Sequence, residues 1–362
     1  MKIVFVNSCK SWGGGEKWHF EMASALNHKG FEVSAIGSPS SIFSDKITHE
    51  KILLKKLKVR GLSFLNPIKL FKLSRYFKKL APDAIIINLS ADLKLAGFAA
   101  KIAGVKSIIY RRGSAIPIKN KPLNRFIFKN IVTNVLANSL ETKNTVLANN
   151  KTLFPEELIH VIYNGVHLSD FTEIFTKEEK DPIVLGNLAR LSYQKGQKYL
   201  INLAEKLKQE NFNFKLLIGG EGELEEELKK MVVEKQLSEY VEFVGFVSDA
   251  KAFLEQLDIF VFPSIWEGFG FSIIEAKLCK KPVVAFKISS NPEVIVESKD
   301  GFLVAPFDED AFFEKTKELI ENKQLRKQMG EKGRADALNR FSHEKCVAEV
   351  EKYLLSLTNC AE

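Results

Sequence analysis

Glu267 and Glu275 stand eight positions apart in the run Glu267-Gly-Phe-Gly-Phe-Ser-Ile-Ile-Glu275. A carboxylate accepts paired hydrogen bonds from neighbouring hydroxyls, so Glu275 suits a ribose-like diol and Glu267 the hydroxyls of a hexose. The preceding run Ile259–Phe262 reads as a buried strand that Pro263 ends, and Gly268 and Gly270 permit a tight loop. Glu275 then falls in the opening turns of a helix, and the backbone N–H groups of Gly268, Phe269, Gly270 and Phe271 lie between the two acids. The plain alternative is a helix-start glutamate favoured by the macrodipole, beside a turn glutamate.

Two other loops are suited to anions. Gly186-Asn-Leu-Ala-Arg190, followed by Lys195-Gly196, offers a guanidinium fork and a point charge, a pair matched to two phosphates. Two solvated cations near a helix start would look the same. Ser11-Trp-Gly-Gly-Gly-Glu16 follows the first strand-like run, and Gly14 and Gly15 let backbone amides approach an anion at a helix start. A plain tight turn is the competing reading. The loop is not Gly-x-Gly-x-x-Gly, and no acid closes the second strand, which argues against a nicotinamide dehydrogenase.

Loops of this kind need a frame, and strand-like runs alternate with helix-like ones along all 362 residues, the pattern of parallel α/β sheets. The length suits two domains. Strands are expected at Lys2–Asn7, Glu32–Ile36, Ala84–Asn88, Ser107–Tyr110 and Asn134–Ala137. After a polar linker, Ser169–Asp181, a second set runs through Ile183–Gly186, Lys215–Ile218, Val241–Val244, Ile259–Phe262, Pro282–Phe286 and Gly301–Val304. The expected divisions are 1–170, 171–342 and a C-terminal helix, 343–362, whose Val347, Val350, Leu354 and Leu357 recur at helical spacing.

The three loops together resemble glycosyltransferase family four, and the resemblance covers nearly the whole chain. Its marks are Gly13-Gly-Gly-Glu16, Tyr163-Asn-Gly-Val-His167, Arg190 with Lys195, Gly219-Gly-Glu-Gly222, Val244-Gly-Phe246 and the pair Glu267 and Glu275. The resemblance implies the GT-B fold: two Rossmann-like domains facing across a cleft, with the C-terminal helix crossing back to the first. It implies retaining transfer of a hexose from a nucleotide diphosphate sugar, with a UDP-sugar as the default, to a hydroxyl of a glycan or lipid-linked acceptor in lipopolysaccharide or cell-surface polysaccharide synthesis. Arg190, Lys195 and Glu267 would carry the chemistry. Arg190 and Lys195 would hold the diphosphate, Glu275 the ribose and Glu267 the sugar. Gly14, Gly15, Glu16 and the Gly268–Phe271 backbone would complete the donor site, with Phe246 and Val247 at the base. No metal or other cofactor is required, because side-chain charge and helix dipoles stabilise the leaving group.

Two places depart from the family pattern. Many relatives carry a histidine where this chain reads Tyr110-Arg111-Arg112-Gly113. Arg111 and Arg112, with Asn164, are acceptor-side candidates that could bind an anionic acceptor or departing phosphate; either arginine could equally be a surface cation. Ser289-Ser290-Asn291 replaces paired glycines before Pro292-Glu293, and Asn291 is the residue expected to tolerate a left-handed backbone.

The net charge of +8 divides unevenly: residues 1–180 carry 28 Lys and Arg against 14 acids, the remainder 25 against 31. Lys51 to Leu80 holds ten cations and no acid among apolar residues, which suits an anionic membrane surface or else a helix and strand of the first sheet whose apolar side is core and whose lysines are solvated. No nucleic-acid recognition motif accompanies the charge. Cys9, Cys279, Cys346 and Cys360 are scattered, and the first apolar run stops at Ser8, so a cytoplasmic protein, peripheral at the inner face of the plasma membrane, is expected. Other readings of the site are a sugar-nucleotide epimerase on the same fold and a non-catalytic sugar-nucleotide-binding subunit.

Overall fold

The structure, a computed structural model, describes residues 1–174 and 182–359. The expected linker Ser169–Asp181 lies partly, and Cys360 wholly, outside the described residues. The chain divides into two units, one of Met1–Asn164 with the residues from Glu344 onward, the other of Gly165–His343.

The first unit is built on a parallel sheet of β1 (Lys2–Asn7), β2 (Glu32–Gly37), β3 (Leu53–Lys56), β4 (Ala84–Ile87), β5 (Ser107–Arg112), β6 (Asn134–Ala137) and β7 (Ile159–Val161). Its order is β3-β2-β1-β4-β5-β6-β7, with Val6 of β1 opposite both Ile36 of β2 and Ile87 of β4. Strand order reverses at β1 and β4, where the loops leaving the carboxyl ends diverge and a ligand can sit.

Alternation of side chains along each strand divides the core between two faces. Val4, Val6, Ile85, Ile87, Ile108 and Tyr110 join one cluster with Leu73, Phe77 and Phe128. Ile3, Phe5, Ala35, Ile86 and Ile109 join the other with Trp18, Met22 and Leu26 of the helix Gly14–His28. That second cluster also takes Cys346, Val347, Val350, Tyr353 and Leu354 from the C-terminal helix His343–Asn359. Each such apolar side chain contributes roughly 1.5–3 kcal/mol on burial, so the tail is part of this core.

The second unit has β8 (Ile183–Leu188), β9 (Phe214–Gly219), β10 (Val241–Gly245), β11 (Ile259–Phe262), β12 (Val283–Phe286) and β13 (Gly301–Val304), ordered β10-β9-β8-β11-β12-β13 and also parallel. Both sheets are Rossmann-like. Beneath the second, Lys277 is wholly buried and ion-paired to Asp300 at 2.9 Å and Asp336 at 2.6 Å, which offsets the cost of removing its charge from water.

Two strands were given no bounds by the sequence reading. β3 is a four-residue edge strand hidden in the basic run Lys51–Leu80, and β7 is only three residues long. Among the described residues, no helix is long and apolar enough to cross a membrane.

Candidate active site

In the second unit the residues expected to hold a donor sit on loops that leave β8, β10 and β11. Two glycines fix the first of these. A Cβ on Gly220 would lie 2.0 Å from the Ala189 carbonyl oxygen, and one on Gly222 would lie 2.1 Å from that of Leu191. Only glycine allows this approach, and Leu191 N donates to Glu221 O at 3.0 Å across it. The Gly219-Gly-Glu-Gly222 run is therefore a backbone clamp on the segment that carries Arg190. The side chain of Arg190 is exposed, while its carbonyl accepts from Gln197 Nε2 at 2.9 Å.

Lys195 closes a single turn, Tyr193–Lys195, and Gly196 (φ 66°) leads into the helix Gln197–Gln209. The Lys195 ammonium forms an ion pair with Glu267 and lies 5.4 Å from the centre of the Phe262 ring. Two hydrogen bonds tie the loops together: Ile265 N donates to Gln194 O at 2.7 Å, and Gln194 Nε2 donates to Trp266 O at 3.0 Å. Glu267 is buried, and its second carboxylate oxygen accepts from Gly268 N at 3.1 Å.

Gly270 (φ 85°) turns the chain into the helix Phe271–Leu278. Phe269 is buried against the rings of Phe271 at 5.6 Å and Phe341 at 5.7 Å, so it anchors the loop. Glu275 lies in the second turn of that helix, half-buried, one turn later than a helix-start carboxylate would stand. Gly245 O accepts from Gly220 N at 2.8 Å, which stitches the loop after β10 to the glycine clamp. Val247 packs over Gly219, whereas the side chain of Phe246 is 74% exposed, an aromatic face open to a flat ring.

The Ser289–Asn291 turn forms differently from expectation. Ser289 takes the left-handed backbone (φ 45°), and Asn291 instead begins the short helix Asn291–Val294 and donates from Nδ2 to Phe286 O at 2.9 Å. The amide thus closes the turn while the adjacent serine takes the strained conformation. Ser290 is buried, with Oγ 3.5 Å from Glu267 O. Glu293 lies in the same short helix and accepts from Arg340 Nη2 through its carbonyl at 2.5 Å.

In the first unit, Gly13 caps the helix that begins at Gly14, and a Cβ on Gly15 would lie 3.0 Å from Asn88 Nδ2. Glu16 is buried and accepts from Asn7 Nδ2 at 3.4 Å and Asn88 Nδ2 at 3.3 Å. Sequence reasoning missed two titratable neighbours. Asp92 accepts from Ser8 Oγ at 2.5 Å and Ser8 N at 2.8 Å, and burial pushes its carboxyl up to about 6 despite those bonds. His19, bonded to Gly15 O at 3.3 Å, is held down at about 3 by burial and then by the charge of Arg111. A polar residue closing an apolar strand run, Asn7 at the end of β1 and Asn88 after β4, was the available signal.

The two arginines part company. Arg111 is only 2% exposed, so the surface-cation reading fails for it. Its Nη2 donates to Asn164 Oδ1 at 3.0 Å, and its guanidinium lies 4.6 Å from the centre of the Trp18 ring. Burial pushes its pKa down to about 10, which leaves it charged at neutral pH. Arg112 is spent on its own loop, donating to the carbonyls of Ser114 at 3.2 Å and Ile116.

Comparison with known proteins decides the family. A model of the group 1 glycosyl transferases matches residues 170–336, and one of glycosyltransferase family 4 matches residues 12–170. An uncharacterized glycosyltransferase of Methanocaldococcus jannaschii is 30% identical over 99% of this chain and 99% of its own. The chain is a family 4 glycosyltransferase.

Among other relatives of this glycosyltransferase, the Escherichia coli UDP-Gal:alpha-D-GlcNAc-diphosphoundecaprenol alpha-1,3-galactosyltransferase is 24% identical, the match covering 90% of this chain and 89% of that one. The glycosyltransferase shares its fold with solved structures. A Rickettsia africae glycosyltransferase superimposes with a TM-score of 0.86 at 22% identity, over 99% of this chain and 98% of that one. Anabaena HepE, solved with UDP and glucose, superimposes with 0.82 at 22% identity, over 98% and 100%.

Proposed function

We propose that this glycosyltransferase moves a hexose from a UDP-sugar to a hydroxyl of a glycan or lipid-linked saccharide, with retention of anomeric configuration, in the synthesis of a cell-surface polysaccharide or lipopolysaccharide. The Lys195–Glu267 pair carries the reading: it joins a cation suited to a diphosphate and a carboxylate suited to sugar hydroxyls on two loops locked together. In this reading Arg190 and Lys195 take the developing charge of the departing UDP without a bound metal ion. Glu267 orients the hexose, Glu275 accepts from the ribose and the exposed Phe246 covers the base. The acceptor hydroxyl attacks the anomeric carbon on the face the diphosphate leaves, and a diphosphate oxygen takes its proton. HepE with UDP and glucose, and the galactosyltransferase acting on a lipid diphosphate-linked sugar, support the donor and acceptor classes.

The first unit supplies a surface for a membrane-borne acceptor. Leu62, Leu65, Ile68 and Phe71 are between 63% and 72% exposed, on and just before the helix Pro67–Leu80. They stand among Lys58, Arg60, Lys69, Lys72 and Arg75, while Leu73 and Phe77 fill the core behind. Phe64 stacks on Phe98 at 6.5 Å and Phe98 on the exposed Phe126 at 5.9 Å, which extends the apolar surface to a second helix. From Lys51 to Leu140 there are nineteen Lys and Arg but only two acids, Asp83 and the buried Asp92. Apolar side chains ringed by cations fit the interface of an anionic bilayer, and the enzyme in this reading works peripherally at the inner face of the plasma membrane.

The test is product analysis. The enzyme is incubated with UDP-glucose, UDP-galactose and UDP-N-acetylglucosamine, each with a panel of lipid-linked and free saccharides. A product whose anomeric proton coupling matches that of the donor supports the reading. An inverted product removes retention, and an isomerised nucleotide sugar formed without acceptor replaces transfer by epimerisation.

A further inference from the structure

A cleft of about 710 Å³ opens in the first unit at the amino ends of β6 and β7, away from the strand ends that carry the glycine loop. One wall is the helix Pro122–Asn130 with Val132 and Thr133 beyond it, and the other is the turn from Asn150 to Leu158. Arg125, Phe128 and Lys129 line it at helical spacing, whereas Phe126 stacks on Phe98 on another side of the same helix. The apolar surface that Phe126 extends is therefore a different one.

From Lys119 to Lys151 the chain carries six Lys and Arg against a single acid, Glu141. Among the described residues none of Arg125, Lys129 and Lys151 is paired with a carboxylate, and Glu156, the acid on the rim, is taken by Lys143 at 3.2 Å. A cleft lined by one sign of charge concentrates counter-ions. Its two walls are tied together through one atom: Asn120 Oδ1 accepts from Arg125 Nη1 at 3.3 Å and from Asn150 Nδ2 at 3.2 Å. Asn150 Oδ1 in turn accepts from Thr152 N at 3.0 Å and Thr152 Oγ1 at 2.9 Å, which fixes the turn that carries Lys151. A guanidinium held this way loses less freedom when it grips an anion.

Phe128, Val132, Leu153 and Phe154 form the floor but are only 4% to 6% exposed, and the two rings meet edge to face at 5.8 Å. Neither ring offers a face for a base to stack on, and the floor is too well covered to take an acyl chain. What the cleft shows a ligand is cations with amide and hydroxyl groups, the complement of a chain of hydroxyls that bears acids. We propose that this cleft binds an acidic saccharide segment of the acceptor, its acid a carboxylate or a phosphate. The assignment deepens the glycosyl-transfer reading and rests on it for the acceptor. At the amino ends of the strands the cleft holds a part of the glycan away from the reacting hydroxyl and raises the effective concentration of the rest.

Calorimetric titration of the full-length protein with tetragalacturonate, phosphopentamannose, neutral mannopentaose and short oligothymidylate tests the proposal. The wild type should bind at least one acidic saccharide, at least about tenfold tighter than mannopentaose or oligothymidylate. Tetragalacturonate as the tighter ligand identifies the acid as a carboxylate, phosphopentamannose as a phosphate. Lys129→Ala with Lys151→Ala should weaken that binding by about 10- to 100-fold. Lys78→Ala with Lys79→Ala, which removes two exposed cations from the helix Pro67–Leu80, should leave it within about twofold. Bound saccharide should also slow amide hydrogen exchange over residues 150–155. Oligothymidylate or mannopentaose bound as tightly as the acidic saccharides, or equal loss in the two double variants, overturns the site. UDP affinity reads the donor site separately. A wild type that binds the acidic saccharide but no UDP overturns the donor reading and leaves the cleft, whereas UDP binding without binding of either acidic saccharide overturns the cleft alone.

Discussion

The ammonium of Lys195 meets the carboxylate of Glu267 across seventy-two residues of sequence, at a junction where Gly196 leaves no room for a side chain. Both groups are largely buried, so each offsets the desolvation of the other. A ligand that draws on either must work within this pair.

Lys195→Ala and Glu267→Gln should each lower kcat/KM by about 10²- to 10³-fold, the range found for removing one group that stabilises transition-state charge. Stability should fall by only about 1–3 kcal/mol, since one partner is left partly buried. Steady-state rates beside urea unfolding separate the two effects. A variant that unfolds readily but turns over normally when folded removes Lys195 or Glu267 from the chemistry.

Gly196→Ala probes the junction without touching either charge. The new Cβ would meet the Pro263 carbonyl oxygen at 2.2 Å, on a backbone at φ 66°. Strain and collision together should cost about 3 kcal/mol or displace the Lys195 turn. Thermal unfolding and donor affinity should fall together; an unchanged melting temperature contradicts the close approach.

Asp92 and His19 give a pH dependence in which two slopes oppose. Burial raises Asp92 from 3.8 to about 6, so between those values the native state holds more protons than the unfolded chain, and this group's contribution falls as pH rises. His19 is lowered from 6.5 to about 3, so its contribution is present above 6.5 and is lost as pH falls. Each slope is about 1.4 kcal/mol per pH unit, and they nearly cancel from about 4 to 6. Asp92→Asn should therefore expose the histidine slope, lose stability relative to wild type on acidification through that window, and gain about 3 kcal/mol relative to wild type by pH 7. Urea midpoints measured at half-unit steps check the sign; parallel profiles for variant and wild type would falsify it.

On the basic face, Lys69→Glu, Lys72→Glu and Arg75→Glu together should weaken binding to phosphatidylglycerol vesicles by at least about 100-fold, at roughly 1 kcal/mol per charge near the surface. Leu65→Ser with Phe71→Ser should weaken it without altering the salt dependence. Co-sedimentation that is equal for anionic and neutral vesicles refutes the membrane reading.

The frame of both sheets was legible because Ile85, Ile86 and Ile87, or Val283 and Val284, lie in short apolar runs that only a buried parallel strand accommodates. The Lys195 and Glu267 loops were legible as a candidate site because glycines and charges coincide at strand ends. Their direct contact was not, since a pairing across seventy-two residues leaves no local trace. For Arg111 the sequence left an anion site and a surface cation equally open, because its burial comes from Trp18 and Asn164, both distant in sequence. Asp92 and His19 carry no pattern of their own, because their shifts come from neighbours that converge only in the fold.

The five C-terminal side chains from Cys346 to Leu354 that complete the first unit set an order of events during synthesis. Residues 165–343 form one uninterrupted stretch and can close their core as soon as they are made, whereas the earlier-made first unit must wait for the residues from Glu344 onward. Until residues 346–354 are available, the cluster that holds Trp18, Met22 and Ile109 lacks part of its native packing. A fragment cut at the sequential boundary inherits that loss permanently, so isolating the first unit calls for residues 344–359 to be joined back to it.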